Sequence, residues 1–173
     1  GKPYNNTIKV KIGDNDDPGD AAGDDALVGN PYPCALDANQ FLLDNEGVIS
    51  GALYFWEHYP TNDTHTVREY LGGYAVLNYT GGLPAVTPGP SLDGYMGDQT
   101  AGPGTKVPER YIPVGQGFFV TSAPIKDREG NVDSDGIGGD IEFNNNQRVF
   151  KREAVTGDSN FGSVFLKSGT GKD

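Results

Sequence analysis

The sequence predicts an all-β fold, an antiparallel β-sandwich of jelly-roll type with one short helix and long Gly/Pro/Asp-rich loops. Three observations lead there. Eight short apolar or alternating segments outnumber a single helical one. Each is bounded by glycine, proline, asparagine or aspartate, the residues that turns require. The 26 glycines and 12 prolines among 173 residues supply such punctuation well above the average share. The length is that of one domain, residues 1–173, with enough chain to bury a core.

The elements follow in order. Thr7 to Ile12 alternates apolar and polar residues, the pattern of a half-buried strand. Ala26-Leu-Val28 is a short apolar run stopped by Gly29-Asn30-Pro31. Asp37 then caps a helix of about two turns, with Gln40 three residues on as an approximate capping box. Ala38, Phe41 and Leu42 share one face of that helix, and Gly47 is the expected stop. Ala52-Leu-Tyr-Phe-Trp56 is apolar on both sides, so a central strand covered on both faces is expected. Tyr74 to Asn78, Gly117 to Thr121, Ile141 to Phe143, Arg148 to Phe150 and Ser163 to Leu166 complete the strands.

Two stretches read as long loops. Asp14 to Asp25 carries six aspartates and nothing large to bury. Thr80 to Pro108 is rich in glycine and proline, with Leu83, Leu92, Tyr95 and Met96 isolated within it.

Charge and composition exclude several functions. With 24 acidic and 13 basic residues the net charge is −11, which repels phosphate backbones and argues against nucleic acid. No run of 18 apolar residues exists, so no membrane-spanning helix and no membrane insertion are expected. A signal peptide is expected to have been removed or to lie upstream. Cys34 is the single cysteine, so an internal disulfide and a thiolate metal cluster are ruled out. An acidic chain with few lysines and many Gly, Asn, Asp and Thr residues points to an extracellular or cell-surface location.

Calcium is the one cofactor the residues suggest. Asp133, Asp135 and Asp140 surround a glycine-bent segment, and Asp14 and Asp16 do the same near Gly19. Neither is an EF-hand. Ile137 and Pro18 occupy position five, and Asn144 or Asp25 stands where a bidentate glutamate belongs. A solvated turn accounts for the same residues, because Asp-Gly between Val132 and Ile141 suits a hairpin.

Aromatic residues offer a binding surface. Trp56, Tyr59 and Tyr95, with Asn62 and Glu57, supply the flat faces and polar groups of a sugar site. The competing reading places the run from Tyr54 to Trp56 in the core, because each ring buries a large apolar area. Catalytic signals are thin. Cys34 with His58 or His65 lacks a glycine elbow, and Glu57 with Asp63 is a carboxylate pair that any acidic chain supplies. No motif joins base, nucleophile and oxyanion donors, so no enzyme is expected and no catalytic residue is assigned.

Five blocks of residues resemble a known domain. They are Leu27-Val-Gly-Asn-Pro-Tyr-Pro-Cys-Ala-Leu-Asp37, Ile49 to Trp56 with His58, Tyr74 to Gly82, Ile112-Pro-Val-Gly-Gln-Gly-Phe-Phe-Val120, and Ile141 to Val149. In that order, and with Gly1-Lys-Pro-Tyr-Asn-Asn6 ahead of them, they resemble the NPYP/GQGFF-type β domain of large secreted Bacteroidota proteins. Such domains lie upstream of type IX secretion sorting domains. The resemblance implies a secreted or surface-attached, non-catalytic module, a piece of a larger multidomain protein. Cys34 stands where that domain usually has serine, a departure that suits a small buried residue.

Three roles follow as expectations. The first is a non-catalytic structural or adhesion module exported by type IX secretion, with Tyr54, Trp56, Phe118 and Phe119 in a compact core and no deep pocket. The second is a calcium-dependent carbohydrate-binding module that stacks sugars on exposed, coplanar rings. The third is a polysaccharide hydrolase. A polysaccharide or the neighbouring domains of the same polypeptide are the expected partners.

Overall fold

The computed structural model describes residues 6–12, 25–58, 72–85, 104, 106–126, 132–137 and 139–151. Its strands are β1 (Ile8–Ile12), β2 (Asp25–Gly29), β3 (Ala35–Asp37), β4 (Ile49–His58), β5 (Gly72–Asn78), β6 (Gly81–Leu83), β7 (Tyr111–Ile112), β8 (Gly117–Ser122), β9 (Pro124–Lys126), β10 (Val132–Ile137), β11 (Gly139–Phe143) and β12 (Arg148–Val149). One helix, α1 (Ala38–Asp44), joins β3 to β4. The fold is all-β and sandwich-like, and every strand pair is antiparallel.

A five-stranded sheet in the order β2-β8-β4-β5-β6 forms one layer. Its inner face packs on α1, on the β1-β11 pair and on the sheet β12-β3-β7, which share one apolar core. A chain of rings crosses that core. Phe55 lies 5.8 Å from Phe118, Phe118 lies 5.6 Å from Phe41, and Phe41 stacks on Phe143 at 5.0 Å. The helix therefore fills the space between the sheets, where Ala38, Phe41 and Leu42 are buried as their spacing predicts.

Local chemistry explains the junctions. The Asp37 carboxylate accepts the Asn39 and Gln40 amides, capping α1. The helix stops at Asp44 with Asn45 as its cap, three residues before the first positive-φ glycine, Gly47. Asn45 wins because its side chain donates to the Phe41 and Glu142 carbonyls and accepts the Glu142 amide, tying the helix end to β11. Gln40 donates forward to Asp44 and does not complete a capping box. At the other close approach, Gly29 pairs with Gly117 and the Asn30 amide donates to the Gln116 carbonyl.

Several expectations change. Asp133 and Asp135 belong to strand β10, which pairs with β9, so the segment before Asp140 is not a hairpin loop. Asn144 caps a 3-10 turn over Asn145–Gln147, with Gln147 completing a capping box. The segment read as one long loop from Thr80 contributes β6 and the buried Ala85. Ser163 to Leu166 lies outside the described residues.

Candidate functional site

Residues alternate between the two faces of a strand, and the five-stranded sheet is apolar on both. Leu53, Phe55, Ala75, Leu77, Phe118 and Val120 point inward and are buried. Their neighbours Tyr54, Trp56, Tyr74, Val76 and Phe119 point outward and are partly or largely exposed. Of the four rings expected in the core, only Phe118 is there; Phe55 takes the place expected of Tyr54 and Trp56. The physical reason is that adjacent residues on a strand cannot share a face.

The register aligns the outward residues into transverse rows. Leu27 pairs with Phe119, Phe119 with Tyr54, Tyr54 with Val76, and Val76 with Leu83, one residue from each of the five strands. Its ends are open, with Leu27 at 66% and Leu83 at 63% exposure. On one side Asp25 pairs with Thr121 and, across a shift in the β4–β8 register, Ala52 pairs with Asn78. The Thr121 hydroxyl donates to the Asp25 carboxylate at 2.6 Å. On the other side Trp56 pairs with Tyr74, and both rings remain more than 40% exposed. Among the described residues, Asp25, Tyr54, Tyr74, Val76, Phe119 and Thr121 line an open groove of about 430 Å³.

Neighbouring rings hold one another edge to face. Trp56 meets Tyr74 at 5.0 Å and 69°, and Tyr74 meets Phe119 at 5.5 Å and 85°. Trp56 and Tyr74 are exposed and Phe119 partly so, and the rings are not coplanar. Gly72 makes room for Trp56, whose indole covers the position a Cβ would occupy there.

The chain belongs to the family described as domain of unknown function DUF8693. The family model matches residues 1–161, a span that contains every element described above. No curated protein and no solved structure matches the chain.

The remaining candidates distribute as follows. Glu57 points opposite to Trp56, is buried, and accepts the Lys106 amide at 3.3 Å, so it shares no site with the indole. Asp140 is exposed and lies in register with Lys11, on the β1-β11 pair. Tyr59, Asn62, Tyr95, Asp14 and Asp16 lie outside the described residues, and Asp133 and Asp135 are described only as backbone of β10. Among the described residues no group of three His, Cys, Asp or Glu side chains is placed to hold a metal. Cys34 is half-buried and packs against the core. Tyr54, Tyr74, Val76 and Phe119 are the site residues that sequence reasoning missed. The period-two alternation through Phe55 and Phe118 was the available signal.

Proposed function

We propose that this chain is a non-catalytic adhesion module of a secreted or cell-surface bacterial protein of the type IX-exported kind. It grips its target with the outer face of the five-stranded sheet. The observation that carries this reading is the row from Leu27 through Phe119, Tyr54 and Val76 to Leu83, an apolar stripe across a whole sheet that is exposed at its two ends and partly exposed between them. Contiguous exposed apolar surface of this kind marks interaction sites. The five motif blocks support the secreted, multidomain setting.

Beads coated with the chain, offered to surfaces bearing polysaccharides or matrix proteins, test the reading. Wild type should adhere, and the double variant Tyr54→Ser/Phe119→Ser should not. Equal adhesion by both overturns the role of this face. Adhesion by neither leaves the structural role, with neighbouring domains of the same polypeptide covering the stripe.

A further inference from the structure

We propose that the outer face of the five-stranded sheet is a track for an uncharged polysaccharide chain. This rests on the adhesive role proposed above and names its target. Three features of the face lead to that class of ligand.

The first is shape. Five strands spaced by about 4.8 Å make a row on the order of 19 Å long and one residue wide. Both ends are open at Leu27 and Leu83, so an extended polymer can run through and continue past each edge.

The second is the division of chemistry across the track. A sugar ring has apolar C–H faces and hydroxyl-bearing edges. The floor offers the rings of Phe119 and Tyr54, one flank offers Asp25, Thr121 and Asn78, and the other offers the exposed Trp56 and Tyr74. An apolar floor beside a polar rail matches such a ring in both respects. The edge-to-face contacts hold Tyr74 between Trp56 and Phe119, so little side-chain freedom remains to be lost on binding. Sugars then meet single ring faces in succession, not one flat platform.

The third is charge. Among the described residues of these three rows Asp25 is the one carboxylate, and there is no lysine or arginine. The chain carries a net charge of −11. A polyanion would find no partner and would be repelled, whereas a neutral glycan can donate hydroxyls to Asp25.

Trp56 is the only tryptophan and lies on the track, so its fluorescence reads occupancy directly. Soluble mixed-linkage glucan, xyloglucan and galactomannan are the neutral probes, with alginate and heparin as charged counterparts. At least one neutral polymer should shift the Trp56 emission saturably, with an affinity independent of salt. Tyr54→Ala should weaken that binding about tenfold or more, and Asp25→Asn, which removes no apolar surface, by a smaller factor. Urea midpoints measured alongside separate lost binding from lost fold. Tighter binding of alginate or heparin, or neutral binding that Tyr54→Ala and Asp25→Asn both leave intact, overturns the proposal. If no neutral polymer binds but the chain adheres to protein-coated surfaces through Tyr54 and Phe119, the glycan assignment falls and the adhesive role stands. If it adheres to nothing, both fall.

Discussion

The side-chain amide of Asn30 reaches the carbonyls of Cys34 at 2.8 Å, Pro113 at 3.1 Å and Ile112 at 3.3 Å, while its oxygen accepts the Tyr32 amide. One buried residue thus fastens the Pro-Tyr-Pro turn to the end of β7. Asn30→Ala should cost about 3 kcal/mol in urea unfolding, because it strands several buried carbonyls. Asn30→Asp should not rescue it, since a carboxylate donates nothing. Tyr32 is the opposite case: its hydroxyl is buried with no hydrogen-bond partner among the described residues, and the Arg148 guanidinium lies over its ring. Burial raises its pKa above the ordinary tyrosine value, a shift the Arg148 charge partly offsets. Between the unfolded value near 10 and the higher folded value the unfolded chain has already released the proton. It then binds fewer protons than the native state, so stability falls as pH rises through that window. Tyr32→Phe should remove that alkaline slope and gain about 1 kcal/mol at pH 7, as read from urea melts at pH 7 and pH 11. Pro31 and Pro33 fix their own φ angles on either side of Tyr32, a local signal of a rigid turn. The long-range bonds of Asn30 left no local mark, because Ile112 and Pro113 lie 82 and 83 positions away.

The elements are held by residues with two tasks. Asp37 caps α1 and also receives a two-pronged bond from Arg110, at 2.8 and 2.7 Å. Asp37→Ala should cost about 2 kcal/mol, and Asp37→Asn about half as much, since the amide oxygen still caps while the charged fork is lost. Parallel urea melts of the two variants and of Arg110→Ala separate the contributions. The N-cap was legible because capping is local. The helix end was not, because Asn45 stops it through Glu142, on a strand nearly a hundred residues later. On β4 and β5, Gly72 lies beneath the Trp56 indole and beside the Glu57 carbonyl. Gly72→Ala should displace the ring, red-shifting Trp56 emission and lowering the urea midpoint.

At the scale of the molecule one sheet has two apolar faces and only one of them forms the core. Phe118 and Phe119 are adjacent in sequence, yet Phe118 is 1% exposed within the core and Phe119 lines the outer groove. Phe118→Ala should cost about 4 kcal/mol, the ordinary consequence of emptying a packed core, and Phe119→Ala about 1 kcal/mol or less. Similar losses for both would mean that the outer face is as essential to the fold as the inner one. The sequence by itself determined the class of fold, most strand positions, the start of the helix and the acidic surface. Those depend on period-two patterning, turn residues, a capping aspartate and net charge, all of which act over a few positions or simply add up. The tertiary structure alone decided which apolar face is covered, which residues stand in one row across five strands, and where the helix ends. These depend on register between segments far apart in the chain. A shift of a single residue in that register would exchange the buried and the exposed rings.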